Sequence, residues 1–363
     1  MATAQNARVT SLGLEKILPK VVDTVNSSNW ILRRTMSAPK AWNGRHIQQP
    51  ITTANSSLGT SFKCTETFST SVDFAPVDMT WYSTGYAHPV TISMVERGIN
   101  QTPLGQVALQ KASFEFSQNS MADSLGTIAY GAGSGNDFDG LQVIVDDGAT
   151  AANYAGLSRT TYGSQLDCGG STGIVAATGG VLDLATMDSA DDAASVSGLM
   201  SETPNVCLTT RAAWSLYGSL LEPQKVASYN AFGGSGSNRG DAAVGAQVQA
   251  SNAANLNGGA LGLTYRGKPV VPDNKCTTGV MFFLNEPAGL EFHSLSIPGL
   301  STVRVANQVT EGVYDQVPPT AFQWRDWKSP VNQLAEIGIF VVYGQLLHRN
   351  PKRNEKITGI TGT

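Results

Sequence analysis

Four carboxylates stand close together in a stretch reading Asp137-Phe138-Asp139-Gly140-Leu141-Gln142-Val143-Ile144-Val145-Asp146-Asp147. A general acid–base pair, or a hard cation with oxygen ligands, requires two or three carboxylates converging on one pocket. Leu141, Val143 and Val145 alternate with Gln142, Ile144 and Asp146, which predicts a strand. Asp137 and Asp139 then flank a turn at one end while Asp146 and Asp147 lie at the other. That arrangement favours aspartates that cap turns over a catalytic pair.

Other residues offer less. Gly131-x-Gly133-x-Gly135 and Gly233-Gly234-Ser235-Gly236 lack the GxxxxGK[ST] form of a phosphate loop and read as flexible connections. His46, His88, His293 and His348 are isolated, with no His-x-x-x-His spacing and no Gly-x-Ser-x-Gly elbow. Cys64, Cys168, Cys207 and Cys276 form no Cys-x-x-Cys pair, so neither a metal site nor a disulfide framework is expected. The Asn-Ser-Ser triplets at Asn26 and Asn55 match a glycosylation acceptor, but no secretory signal accompanies them. The basic clusters Arg33-Arg34 and 349–353 are too small and too separated for a nucleic-acid groove, and read as solvated charge.

The elements that must position these residues follow from patterning. Residues 1–40 read as an arm, with Leu12, Leu14, Ile17, Leu18, Val21, Val22 and Val25 amphipathic around Pro19. Such a segment, with no obvious local partner, either docks on its own core or laps over a neighbouring subunit, and the second is the expectation here. Residues 41–75 read as a long hairpin: Phe62, Cys64, Phe68, Val72 and Phe74 recur at even spacing, and the turn falls in 52–61. Strand pattern continues over 77–92. Ser93 and Glu96 have capping-box spacing, and Thr102-Pro103 opens a long helix whose face carries Leu104, Val107, Phe114, Met121, Leu125 and Ile128. Residues 163–180 read as loop, with Ile174 and Val175 as a short strand. Val206-Cys207-Leu208 is a buried strand leading into a helix capped by Thr209 or Thr210. A Gly- and Ser-rich loop at 232–240 follows, and strands at 261–271, 280–284 and 290–292 then read as a meander, making the second domain α+β. A long strand over 333–347, broken by Gly338 and Gly344, closes the chain.

Composition narrows the class. Only 14% of the 363 residues are charged and the net charge is −4, against roughly 25% charged in ordinary domains. A sparsely charged, polar surface repels its own copies weakly, as self-packing requires. The longest apolar runs are too short to span a bilayer.

The succession of motifs resembles the major capsid proteins of tailed bacteriophages, with the Hong Kong 97-type fold. The residues that carry the resemblance are Phe138-Asp139-Gly140-Leu141 after a long helix, Tyr154-Ala155-Gly156-Leu157-Ser158-Arg159-Thr160-Thr161-Tyr162, Thr210-Arg211-Ala212-Ala213-Trp214 and Tyr265-Arg266-Gly267-Lys268-Pro269-Val270. The Leu284-Asn285 turn and Leu346-Leu347 with Asn350-Pro351 complete it. Their order and spacing, more than any one of them, make the likeness. It implies an α+β subunit with an N-terminal arm (1–40) and an extended loop (41–75) reaching over a neighbour. A peripheral domain (76–184) would hold a spine helix at about 102–130, followed by an axial domain (185–320) and a return strand (321–363). Trp30, Arg33, Arg34, Trp42, Arg45, Phe62, Phe68 and Arg159 are the candidate subunit contacts. The implied function is a non-enzymatic shell of pentamers and hexamers around double-stranded DNA, assembled in the host cytoplasm into a virion. It needs no cofactor or metal, and contacts packaged DNA only weakly. An arm that begins at once implies a separate scaffolding protein or none; portal and decoration proteins are further partners. No constellation supports a Lys–Asn crosslink. The alternatives are an encapsulin-like compartment, a tail-tube or fibre subunit, and a hydrolase using Asp137, Asp139 or Asp147.

Overall fold

The structure, a computed structural model, describes residues 29–36, 39–42, 44–56, 58–64, 67–68, 74–99, 103–170, 172–195, 202–221, 263–297, 300–302 and 321–361. The amphipathic stretch 12–25 and the 232–240 loop lie outside them. Helix α1 (Trp30–Thr35) is capped by Asn29, whose side-chain oxygen accepts from the Leu32 amide at 3.3 Å. Trp30, Ile31, Leu32 and Met36 are buried, and Asp273 accepts from the Trp30 amide at 2.9 Å. This part of the arm therefore docks its apolar face on its own chain. An apolar stripe records that a face is buried, and is silent about whose core receives it.

Strands β1 (Lys40–Ala41), β2 (His46–Thr52), β3 (Pro76–Tyr82) and β4 (Thr84–Ser93) follow. β2 and β3 form an antiparallel ribbon in register from His46–Tyr82 to Thr52–Pro76. The return strand is thus 76–82 and not the 62–74 segment expected from alternation. Alternation marks a strand only where one face is buried, and Phe62, Phe68 and Phe74 are all exposed.

Helix α2 (Met94–Ile99) opens with the expected box: Glu96 accepts from the Ser93 amide and Ser93 Oγ from the Val95 amide. Helix α3 (Pro103–Ala129) has 27 residues, about 40 Å at 1.5 Å per residue. It buries Met121, Leu125 and Ala129, while Phe114 packs on Trp324 and Phe340 at 5.0 and 4.6 Å between ring centres. Where sequence alternation predicts a strand, 141–145, the chain forms a short helix, α4 (Leu141–Ile144). Leu141, Val143, Ile144 and Val145 are all buried, and a run buried on every side carries no period to distinguish helix from strand.

The chain continues through β5 (Asn153–Tyr154), β6 (Leu157–Ser158), α5 (Arg159–Leu166), β7 (Val175–Ala176) and α6 (Leu184–Ala194). Next come β8 (Val206–Thr209) and α7 (Arg211–Leu220), capped by Thr210 through the Ala213 amide. β9 (Thr264–Tyr265), β10 (Lys268–Pro272), β11 (Met281–Leu284), β12 (Leu290–Ser294) and β13 (Ser301–Thr302) precede β14 (Phe322–Lys328), β15 (Ala335–His348) and β16 (Glu355–Thr358).

Two six-stranded sheets organise these elements. The first is built on β15, which pairs with β4, β14 and β12; β1 joins β12 and β13 joins β14. Gly338 and Gly344 do not break β15. At Gly338 a Cβ would overlap the Trp324 ring, so glycine there admits the indole across the strand. The second sheet runs β7-β16-β11-β8-β10-β9. Its strands are buried on both faces: Phe282 and Leu284 of β11 enter one core with α1 and α3, while Met281 and Phe283 enter another with Met187, Ala213 and Tyr217.

The expected meander is corrected by this topology. β10 and β11 both flank β8, and the 285–289 turn carries the chain from β11 in the second sheet to β12 in the first. β7 and β16 belong to the second sheet and β12 to the first, so divisions at 184 and 320 do not fall where the sheets change.

Candidate assembly surface

The β2–β3 ribbon projects a surface that its own chain leaves open. At its base Met79 and Trp81 are buried, Trp81 meeting Tyr154 edge-on at 6.2 Å. Gln165 Nε2 donates to the Thr53 carbonyl at 2.5 Å, anchoring the far end of β2 to α5. Beyond that anchor Phe62 (67% exposed) and Phe68 (57%) touch each other edge-on at 5.2 Å, and Phe74 and Tyr82 are also exposed. Aromatic rings left in water forfeit about 25 cal/mol per Å² of burial, so clustered exposed rings mark a face that a partner covers. Among the described residues β2 pairs with β3 alone, leaving its outer backbone groups free to bond a further chain. Arg45 stands exposed beside the ribbon, and Arg33 and Arg34 are exposed on α1. Arg34 forks onto Glu286 at 3.0 and 3.2 Å.

Three other candidate contacts face inward. Trp30 and Trp42 (2% exposed) are core residues, and the Trp42 ring donates to the Gly44 carbonyl at 2.9 Å. Arg159 (3% exposed) donates to the carbonyls of Asp146 and Leu166 at 2.5 Å and of Val143 at 2.6 Å. It thereby closes the C-terminal end of α4, where carbonyls lack helical partners. Sequence cannot separate a tryptophan or arginine that fills a core from one that meets a neighbour, because both need a large side chain.

The carboxylates are engaged separately. Asp139 accepts from Gln345 Nε2 at 2.6 Å, and burial, partly offset by that bond, pushes its carboxyl up. Asp146 accepts from the amides of Gly148, Thr150 and Ala151 and from Lys356 Nζ at 2.9 Å. Burial opposes its charge, but the Ala151 amide, Lys356 and the Thr150 amide outweigh it and hold the carboxyl below its ordinary range. Asp147 takes the Ala149 and Ile174 amides. A hollow of about 590 Å³, lined by Asp147, Arg159, Thr160, Ser164, Asp167 and Thr172 among others, opens beside them. Among the described residues no group of three His, Cys, Asp or Glu side chains could hold a metal ion, and the described cysteines are free. His348 is buried, its Nε2 on the Asn285 carbonyl at 2.9 Å and its Nδ1 accepting from the Asn350 amide. Glu355 and Lys356 carry no sequence signal of burial, because the polar, basic run before them reads as solvated charge.

No protein-family profile and no curated protein matches the sequence. Solved structures do match in fold. The capsid asymmetric unit of cyanophage A-1(L) is similar at TM-score 0.66 and 16% identity, over 98% of this chain and 99% of that one. The SrpI encapsulin of Synechococcus elongatus PCC 7942 is similar at TM-score 0.56 and 11% identity, over 99% and 96%. The capsid of Myoviridae phage XM1 follows at 0.52 and 9%, over 99% of both chains. No helix among the described residues is long and apolar enough to cross a membrane. The full-length likeness on both sides shows that this chain has the α+β, Hong Kong 97-type fold of phage capsid and encapsulin shell subunits.

Proposed function

We propose that the chain is a major capsid protein that assembles into pentamers and hexamers of an icosahedral shell enclosing double-stranded DNA. The observation that carries this reading is the end-to-end match to a cyanophage capsid subunit, with neither chain leaving a substantial part unmatched. The ribbon supports it: an open strand edge and the Phe62–Phe68 pair supply an apolar surface fitted to a second copy. In this reading the ribbon and its tip are the extended loop, α3 is the spine of a peripheral body built on the first sheet, and the second sheet with α6 and α7 is the axial body. Arg33, Arg34, Arg45, Phe62 and Phe68 then make contacts between subunits, while Trp30, Trp42 and Arg159 keep the subunit folded. A net charge of −4 limits contact with packaged DNA to a weak, non-specific kind. Scaffolding, portal and decoration proteins are the expected heterologous partners, and the subunit acts in the virion after assembly in the host cytoplasm. Catalysis is no part of this function.

An encapsulin-like compartment is the second reading, favoured by the SrpI match. Particle contents separate the two: nuclease-protected DNA in particles from infected cells supports a capsid, and a folded protein cargo supports a compartment. Deleting residues 52–61 tests the loop. The account expects soluble subunits that fail to close shells; normal shells from the deletion would contradict the role given to the tip.

A further inference from the structure

Glu355 opens β16 and is fully buried (0% exposed) in the second sheet, opposite Phe283 of β11. One carboxyl oxygen accepts from the Lys356 amide at 2.8 Å; the other, Oε2, is buried without a hydrogen-bond partner. That oxygen lies directly beneath the chain leading to β7. A Cβ on Gly169 would overlap it, and Gly169 holds the left-handed φ of +59° that a side chain would also resist. Gly169 donates to the Asn354 carbonyl at 2.9 Å, Cys168 to the Asp146 carbonyl at 3.0 Å and Ala177 to the Thr358 carbonyl at 2.9 Å. With Val175–Ala176 paired on Ile357–Thr358, the described residues 168–170 and 172–177 are laid along β16 over the Glu355 carboxyl.

Burial outweighs the Lys356 amide, the Cys168 thiol, the Val175 amide and the Lys356 charge, which favour the charged form of that carboxyl, and the nearby cations are engaged by other carboxylates and carbonyls. On β16 itself Lys356 turns to Asp146. Asp147 is held by the Ala149 and Ile174 amides, and Arg159 by backbone carbonyls and Asp167. Arg353, before the strand, faces Glu202 at 3.8 Å. From α6 comes Asp191, which Arg266 and Lys268 engage. The chain at 168–170 and 172–177 brings the Cys168 thiol, kept protonated by burial and then by Glu355. β11 and β7 bring no titratable side chain.

We propose that Glu355 and the chain around it at 168–170 and 172–177 form a proton-operated latch, closed on β16 while the carboxyl is protonated and loosened when the buried carboxylate ionises without an ion-pair partner. Burial pushes the Glu355 carboxyl up to about 7, which places the working range at neutral pH. The folded value lies above the ordinary 4.5, so the latch's contribution is complete below about 4.5 and is lost as pH rises through about 7. The same stretch supplies Gly170, Thr172 and Gly173 to the wall of the hollow, so its opening changes that hollow too. The latch belongs to the subunit and does not depend on the shell reading.

Hydrogen–deuterium exchange of the purified chain, corrected for intrinsic rates, tests it between pH 5.5 and 8.5. Protection of amides 168–170 and 172–177 should fall about tenfold from pH 6 to 8, since one pKa unit corresponds to a factor of ten, while the amides of β15 hold constant. Glu355→Gln, a permanently neutral carboxyl mimic, should keep the stretch protected throughout. Flat protection in the wild-type chain, or a Glu355→Gln variant that opens as the wild type does, would overturn the latch. Should Glu355→Gln fail to fold, the wild-type profile decides: a midpoint near neutrality confined to 168–170 and 172–177 supports it, and no midpoint refutes it.

Discussion

Replacing Arg159 by methionine separates a folding role from an assembly role for this residue. Its guanidinium makes three bonds of 2.6 Å or less, to the carbonyls of Val143, Asp146 and Leu166, and two weaker ones at 3.4 Å to Ile144 and Asp167. A bond from a charged donor contributes about 1.5–3 kcal/mol net, and removing one partner of a buried charged network costs about 3–5 kcal/mol. Methionine fills the stem but leaves the carbonyls at the end of α4 unpaired. At roughly 2 °C per kcal/mol for a chain of this size, the melting temperature should fall about 6–10 °C. Arg159→Lys keeps the charge but loses the planar fork, so it should fall between wild type and methionine. The assay is thermal unfolding of the unassembled subunit followed by circular dichroism. A methionine variant melting within about 2 °C of wild type, yet unable to assemble, would refute the reasoning and return Arg159 to the list of subunit contacts.

The exposed loop predicts the opposite pattern. Phe62→Ser with Phe68→Ser should shift subunit stability by no more than about 0.5 kcal/mol, as exposed sites do, while sedimentation shows a loss of large particles. Trp42→Ala, by contrast, should cost about 3–5 kcal/mol in urea unfolding through lost burial and a cavity. His348 predicts an acid response: burial pushes its imidazole down to about 4 from 6.5. Its folded value is depressed, so the unfolded chain binds the extra proton between those values and stability is lost as pH falls from about 6.5 towards 4. The loss is about 3 kcal/mol at 1.36 kcal/mol per unit. Urea midpoints of wild type and His348→Gln across that window should converge as pH falls; parallel curves would contradict a neutral, buried imidazole.

Local chemistry made parts of this fold legible in the sequence. Pro103 starts α3, Ser93 with Glu96 starts α2 and Thr210 caps α7 because each signal acts within one helical turn. The long closing strand is legible too, and it pairs with β4 far back in the chain, but other long-range pairings are not legible in local patterns. Phe62, Phe68 and Phe74 alternate without belonging to a strand, and β12 and β16 change sheets because their neighbours lie far along the chain. Helix α6 is hard to read in the sequence because its buried face is Met187, Ala190, Asp191 and Ala194, two of them alanines and one a carboxylate. Its signals were the three–four spacing of those residues and the Asp183 cap on the Thr186 amide. Of the candidate contacts, Phe62 and Phe68 are exposed while Trp30, Trp42 and Arg159 are buried, a difference that residue type alone does not carry. Residue type sets what a side chain can do, and only the fold sets which way it faces.

Negative-stain electron microscopy of the purified chain, read alongside light scattering, tests the central claim most directly. The account predicts closed polyhedral particles hundreds of ångströms across, built from five- and six-membered rings, when the chain assembles alone or with its scaffold. Tubes, or a compact dimer as the largest species under both conditions, would contradict it.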